Sequence, residues 1–434
     1  MKDTVYAALE QGFTAPVRDV LWGHIYLTPG MEALATSAPF MRLHRIFQLG
    51  PAYCVYPGAT HTRAAHSIGV YHLARRILRN FAERGADAWI SPVGVRSFLA
   101  AALLHDLGHF PYTHSLKELP LEDHEALTGK IIMAEPVKSL VADTGADPYL
   151  TAGIIDTDMP GDDEKELLFY RKLLSGVLDP DKLDYLNRDA RYCGVPYGAQ
   201  DVDFILSRLH PHCERGIDID SRAIPSVESV LFSKYLMYRT VYWHPAVRSA
   251  TAMIKKALLG GLENRSIAQE ELYNLDDQSL FTLMAHRKDP LFALGDKVRD
   301  GCLYTTAAEF SYNETLHREL LDIANRSSHE ETLAAELSDV SGIRLFPHEV
   351  IIDIPEPITF ETGLYVTDKG CYFERSSGVF KGETVDSFIK SLHTIRIFID
   401  PVHKKWIRPD SAGHNSQKLN PKLYDILHIK KNWL

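Results

Sequence analysis

The chain has 434 residues, with 47 Lys+Arg against 57 Asp+Glu and a net charge of −10. A 45% hydrophobic and 24% charged composition excludes disorder as the main state, and no apolar run reaches the ~18 residues that span a bilayer, so no membrane partner is expected. Five scattered cysteines without a C-x-x-C exclude a disulfide framework or a cysteine zinc site. Together with an N-terminus that lacks the apolar run of a secretory signal, they set the expectation of a cytoplasmic protein.

In chain order, VRDVLWGHIYLTPGMEAL (17–34) predicts a short extended piece, a Pro-Gly turn and a helix. Ser67 to Arg84 carries apolar residues at helical spacing, and RSFLAAALLHDL (96–107) predicts a short, buried helix. A further helix is expected from about Asp123 to Glu135. An acidic loop is expected over Asp156–Glu166, then helices over Leu167–Leu178 and Lys182–Tyr192. Val227–Tyr242 and Ala246–Leu262 predict two long helices parted near Pro245. Residues 264–340 are helical by composition, with 274–284 the clearest amphipathic piece. Beyond about 340, IRLFPHEVIIDI, GLYVTDKGCYFE and TIRIFID predict strands. The expected fold is mainly α: a helical core over 1–262, a helical extension over 263–340, and a small α+β appendage over 341–434. That appendage ends in a basic tail: residues 396–434 hold eight Lys/Arg and three Asp, or +5.

Seven of the 20 histidines fall between residues 61 and 124: His61, His66, His72, His105, His109, His114 and His124. Imidazole is both a common metal ligand and the usual acid-base group near neutral pH. The pair His105-Asp106 ends a very apolar run, where an ionisable pair is costly to bury without a counter-charge. A divalent cation is one such partner; a capping Asp beside a core His is the plainer alternative. Downstream, LDPDKLDYLNRD sets Asp179, Asp181, Asp184 and Asp189 around a predicted helix start, where carboxylates are also favoured by the helix dipole. Arg63, Lys182, Arg188 and Arg191 flank these acids and offer cations for phosphate oxygens.

Five segments, in order and at similar separations, resemble the HD-domain metal-dependent phosphohydrolases, and among them the deoxynucleoside triphosphate triphosphohydrolase branch. They are 47–74, LLHDLGHFPYTHS (103–115), DHEAL (123–127), LDPDKLDYLNRDARYCGV (178–195) and KYLMYRTVYWHPAV (234–247). The resemblance implies a mainly helical HD core and a divalent metal ion held by His66, His105, Asp106 and Asp181. Ligand type does not choose among Mn, Fe, Mg, Ni and Zn. It further implies His124 as general acid, His109 as a charge-stabilising or proton-relaying group, and phosphate contacts from Arg63, His114, Lys182 and Tyr185. Lys234 matches another substrate position. Gln48, Leu49, Asp189 and Tyr242 match positions that hold a deoxyribose. His61 and His72 are read as ordinary histidines.

The chain departs from the family pattern twice. Where relatives carry an acid that orients the general-acid histidine, this chain has Lys117 with Glu118 beside it, so either Glu118 or Glu125 substitutes or the proton relay is altered. Where nucleotide-activated relatives read a guanine, it has Thr36 and Met41. The implied reaction is hydrolysis of a deoxynucleoside triphosphate at the α-phosphorus, releasing deoxynucleoside and inorganic triphosphate, by a homo-oligomer (dimer or tetramer). One alternative is hydrolysis of another nucleotide or phosphate ester. Another, from a different class, is a weakly active protein that binds nucleotide or single-stranded nucleic acid through the basic tail.

Overall fold

The computed structural model describes residues 4–161, 165–356, 358–408 and 418–419. Most of the basic tail therefore lies outside the described residues. The chain is mainly helical with a C-terminal α+β region. No described helix is long and apolar enough to cross a membrane.

After a short helix, Val5–Glu10, an antiparallel pair, β1 (Ala15–Asp19) and β2 (Gly23–Leu27), leads into the longer helices. Helix α1 (Arg63–Glu83) begins one turn earlier than the apolar pattern predicts, because the Thr62 side chain caps it by accepting from Ala65 N. That extra turn holds Arg63 and His66. Helix α2 (Pro92–Leu104) has Ser91 as its cap and Pro92 in its first turn, and every residue from Ser97 to Leu104 is buried. A helix apolar all round is one surrounded by others, and α2 lies between α1 and the helices that follow.

The turn after α2 approaches helix α3 (His124–Met133) closely. A Cβ on Gly108 would stand 2.1 Å from the His124 carbonyl oxygen and 2.6 Å from Thr128 N. Glycine here serves contact between two site-bearing segments rather than merely ending a helix. Gly108 N donates to Thr128 Oγ1 at 2.8 Å, which ties the turn to α3.

Helix α4 (Pro180–Cys193) starts at Pro180 because Asp179 caps it, accepting from Lys182 N at 2.6 Å. Asp181, Tyr185 and Asp189 then recur every four residues along one face. Asp184 and Arg188 form an adjacent stripe facing α1, against Gly69. A Cβ on Gly69 would stand 2.0 Å from Asp184 Oδ1. Helix α5 (Ile224–Met237) runs into a π-helical turn, Tyr238–Tyr242, before α6 (Pro245–Glu263), which matches the expected break near Pro245.

Two sheets were harder to foresee. The hairpin β3 (Leu209–His212) and β4 (Gly216–Ile219) lies within the helical core. It is extended by β7 (Tyr365–Val366) and β8 (Cys371–Tyr372) in the order β3-β4-β7-β8. Strand β5 (Thr305–Ser311) interrupts the stretch read as a helical extension. It pairs with β9 (Thr394–Ile399), which pairs with β6 (Val350–Asp353). Its partner is almost ninety residues away, so local composition could not announce it. Packing also crosses the boundaries drawn at 262 and 340. Ile358, Phe360, Val366, Phe373 and Phe380 share the main core with α1 and α2, while α6 shares a second core with Tyr304, Ile351 and Phe398.

Candidate active site

One cavity of about 590 Å³ gathers all sixteen residues singled out as ligands, catalytic groups or substrate contacts. At its base, His66 Nδ1 lies 2.8 Å from Asp184 Oδ2, which leaves Nε2 to face Asp181 Oδ1 at 2.9 Å. His105 Nδ1 donates to the Ala102 carbonyl at 3.0 Å. Its Nε2 is buried with no hydrogen-bond partner among the described residues, 3.3 Å from Asp106 Oδ1 and 3.7 Å from Asp181 Oδ1. Each imidazole thus has one nitrogen anchored behind and one turned to the same point, as ligating histidines do. Asp106, at the helix end, sets Oδ1 3.3 Å from His105 Nε2 while its Oδ2 accepts from Arg63 Nη1 at 2.9 Å, and it stands outside the tight group formed by His66, His105 and Asp181.

These residues fit a divalent cation. Buried nitrogens and carboxylate oxygens converge, and His66, His105 and Asp181 each offer a ligand atom within 4.8 Å of the others. Burial opposes charge on His66, yet Asp181 and Asp184 outweigh it and push the imidazole up to about 10. Burial likewise opposes charge on Asp106, yet His105 and Arg63 hold its carboxyl well below the usual range. The base of the cavity therefore favours positive charge and keeps its carboxylates ionised.

Behind the set stands a buried chain of groups. Asp184 accepts from Trp22 Nε1 at 2.6 Å and from Arg188 Nε and Nη2 at 2.8 and 2.9 Å, and Arg188 Nη1 reaches Asp19 Oδ2 at 2.8 Å. Arg188 is therefore not a phosphate contact: both acids consume its guanidinium, and it is 1% exposed. Arg191 is exposed on the far side of α4 and does not line the cavity.

The two histidines expected to be catalytic, His109 and His124, lie together beside this base. His109 Nδ1 is 3.1 Å from Asp106 Oδ1, and its ring centroid is 4.0 Å from that of His124. Burial pushes His124 down to about 4, with Asp123 and Asp106 opposing. Glu118 does not orient it, because its carboxylate is held by Lys255 and Arg326. Glu125 lines the cavity, and burial raises its carboxyl. The carboxylate beside His124 is Asp123, 3.4 Å from Nδ1.

On the opposite wall Asp189 accepts from Tyr242 Oη at 2.6 Å and pairs with His61 Nε2 at 2.8 Å. His61 is thus no ordinary histidine: it is buried, it stacks on Tyr192 at 4.6 Å, and it fixes Asp189. Its signal in the sequence was only its place two residues before Arg63. His72 keeps the plain reading, packed beside Trp22. Gln48 donates its backbone N–H to the His61 carbonyl at 2.9 Å, and Leu49 lies next to it on the cavity wall. Lys182 Nζ donates to Gly176 O and Asp179 Oδ2, both at 2.8 Å. Lys234 Nζ donates to Thr359 O at 2.7 Å. Glu361 stands 3.5 Å from both ammonium groups.

Residues 63–144 match the HD domain, and residues 201–375 match the HD associated region. The chain is an HD-domain protein. It is 37% identical over 225 residues to the uncharacterized protein YwfO of Bacillus subtilis, covering 52% of this chain and 50% of that one. It is 26% identical over 319 residues to the human deoxynucleoside triphosphate triphosphohydrolase SAMHD1, covering 63% of this chain and 51% of that one. The fold is that of a phosphohydrolase from Bacteroides thetaiotaomicron (TM-score 0.70, 22% identity, 89% of this chain and all of the other). The HD-domain chain spans about half the length of these two sequence relatives.

Proposed function

We propose that this HD-domain protein is a metal-dependent phosphohydrolase of deoxynucleoside triphosphates, releasing deoxynucleoside and inorganic triphosphate. The observation that carries the reading is the meeting, in one cavity, of the His66–His105–Asp106–Asp181 set, the cations Arg63, Lys182 and Lys234, and the Asp189–Tyr242 wall. A cavity of about 590 Å³ suits a nucleotide-sized ligand.

His66, His105, Asp106 and Asp181 would hold a divalent ion, which would supply Lewis acidity toward a phosphoryl oxygen and the attacking water. Arg63, fixed to Asp106 through Nη1, has a buried Nε without a partner among the described residues and turns positive charge toward the phosphates. Lys182 and Lys234 exchange their carbonyl and carboxylate partners for phosphate oxygens. A polyanion beside His124 opposes the effect of burial and raises the imidazole toward the range in which it protonates the leaving oxygen. Asp189 takes a sugar hydroxyl on a free lone pair, since a carboxylate has about four acceptor sites and two are used. The Tyr242 ring fills the space beside it and disfavours a 2′-hydroxyl by clash.

The test is incubation of metal-loaded protein with each dNTP and each rNTP, with the products separated by ion-exchange chromatography. Inorganic triphosphate and deoxynucleoside are expected. Release of mono- or diphosphate, or equal turnover of ribonucleotides, overturns the assignment.

A further inference from the structure

Three histidines face one another beside the ligand set just described. His109 follows the turn after α2, His114 lies in the 3-10 turn Thr113–Leu116, and His124 opens α3. One ring nitrogen from each lies within 4.8 Å of the other two. His109 Nε2 and His114 Nε2 are 3.1 Å apart. Two imidazole lone pairs do not sit that close unless a proton or a cation lies between them.

We infer that His109, His114 and His124 form a second cation site, distinct from the His66–His105–Asp106–Asp181 set, for a borderline divalent ion of the zinc class. An ion with bonds of about 2.0–2.1 Å at tetrahedral angles holds its nitrogens ~3.3 Å apart. His109 and His114 already have that spacing, so only His124 must close in. The rings are tilted to one another by 62°, 65° and 78° rather than stacked, with centroids 4.0, 4.8 and 5.2 Å apart. Asp106 Oδ1 lies 3.1 Å from His109 Nδ1 and Asp123 Oδ1 3.4 Å from His124 Nδ1, and both of these buried nitrogens lack a hydrogen-bond partner among the described residues. His114 is exposed, which gives an ion a way in.

Charge does not choose the ion. Arg63 and Lys117 stand on the same wall and oppose a cation, and Arg63 is paired with Asp106. Donor type chooses instead. A three-nitrogen set selects zinc, nickel, copper or cobalt over magnesium and manganese, whereas the two-nitrogen, two-oxygen set accepts harder ions as well. Two sites in one cavity therefore differ in what they hold. If the proposed hydrolysis holds, zinc on the triad engages the imidazoles that would serve the substrate, so a second equivalent of zinc stops turnover that the first equivalent supports. The ion count does not rest on that reading.

The experiment titrates the metal-stripped full chain with Zn(II) and, separately, with Mn(II), counting bound ions by calorimetry and by elemental analysis after desalting. Two zinc ions and one manganese ion per chain are expected. His114→Ala, at an exposed position that leaves the fold intact by circular dichroism, should bind one zinc and still one manganese. Asp181→Ala should keep the triad's zinc and lose manganese. Co(II) on the Asp181→Ala protein should give the intense visible bands of a four-coordinate site, and His114→Ala should abolish them. A single zinc per wild-type chain, a second zinc indifferent to His114→Ala, or two manganese ions overturns the inference. Two zinc ions in a protein that hydrolyses no dNTP leaves the second site standing and removes the substrate assignment alone.

Discussion

The two ends of the cavity are held in opposite ways. At the metal end, His66 and His105 are fixed from behind, through Asp184, Arg188, Asp19 and the Ala102 carbonyl, so that one nitrogen of each stays free for the site. At the cationic end, Lys182 and Lys234 already have partners in Gly176, Asp179 and Thr359, with Glu361 close to both. The first end is preorganised and gains from an ion without rearranging. The second must trade partners when an anion arrives, so its net contribution to binding is small although its charges are many.

The largest break comes from the preorganised end. Asp181 is a third exposed to the cavity, so Asp181→Ala leaves no buried charge unpaired. It should release the ion held with His66, His105 and Asp106 and lower turnover by about a thousandfold, which corresponds to the several kcal/mol a Lewis acid contributes. Metal analysis and kcat on the same sample check this. Asp106→Ala should also unfold more readily, because Arg63 is 5% exposed and loses its counter-ion, a loss of about 3–5 kcal/mol for a buried pair. A thermal melt with equal stability for both variants would remove the distinction.

The next effect tests the groups behind the ligands. Asp184→Asn keeps the shape but weakens the anchor on His66 and the partner of Arg188. Metal affinity should fall by about 10–100-fold while the ligand count stays the same, as read by chelator competition. Unchanged affinity would mean that His66 is positioned by packing alone. On the opposite wall, His61→Ala removes one of the two groups that fix Asp189. A hydrogen bond to a charged group is worth about 1.5–3 kcal/mol, so kcat/KM for a dNTP should fall by about 10–100-fold at unchanged metal content. A nucleotide lacking the 3′-hydroxyl should show little of that loss. Equal losses for both substrates would make His61 structural only.

The same contrast explains what the sequence revealed. The candidate ligands could be singled out because each lies in a short motif at the end of one helix: His66 in the first turn of α1, His105-Asp106 after α2, and Asp181 in the first turn of α4. The mainly helical core was legible from apolar spacing and caps such as Ser91 and Asp179. His61 was not, because its role depends on Asp189, 128 residues away, and on stacking against Tyr192. Glu118 was misread as a neighbour of His124, since nothing local announces that Lys255 and Arg326 claim it. Strand β5 escaped because its partner, β9, comes from the far end of the chain, and the hairpin β3–β4 because its two strands are only four residues each. Thr359 reaches the cavity, and Glu361 its two lysines, from the far end of the chain, and no motif marks them.

Glu361 gives the smallest and most discriminating effect. Its carboxylate is partly exposed and stands 3.5 Å from two ammonium groups that face the cavity, so it competes with any anion bound there. Burial opposes its charge, but Lys182 and Lys234 hold its pKa below the ordinary value, so it is ionised at neutral pH. Exposed pairs of this kind are worth about 0–1 kcal/mol. Glu361→Gln should therefore lower KM for a polyphosphate substrate by no more than about fivefold, with kcat and metal content unchanged. The gain should shrink as salt rises, because the competing charges are screened. A raised KM would mean that Glu361 holds the two lysines in place for the substrate rather than occupying them. The cationic end would then be preorganised like the metal end, and the contrast between the two would disappear.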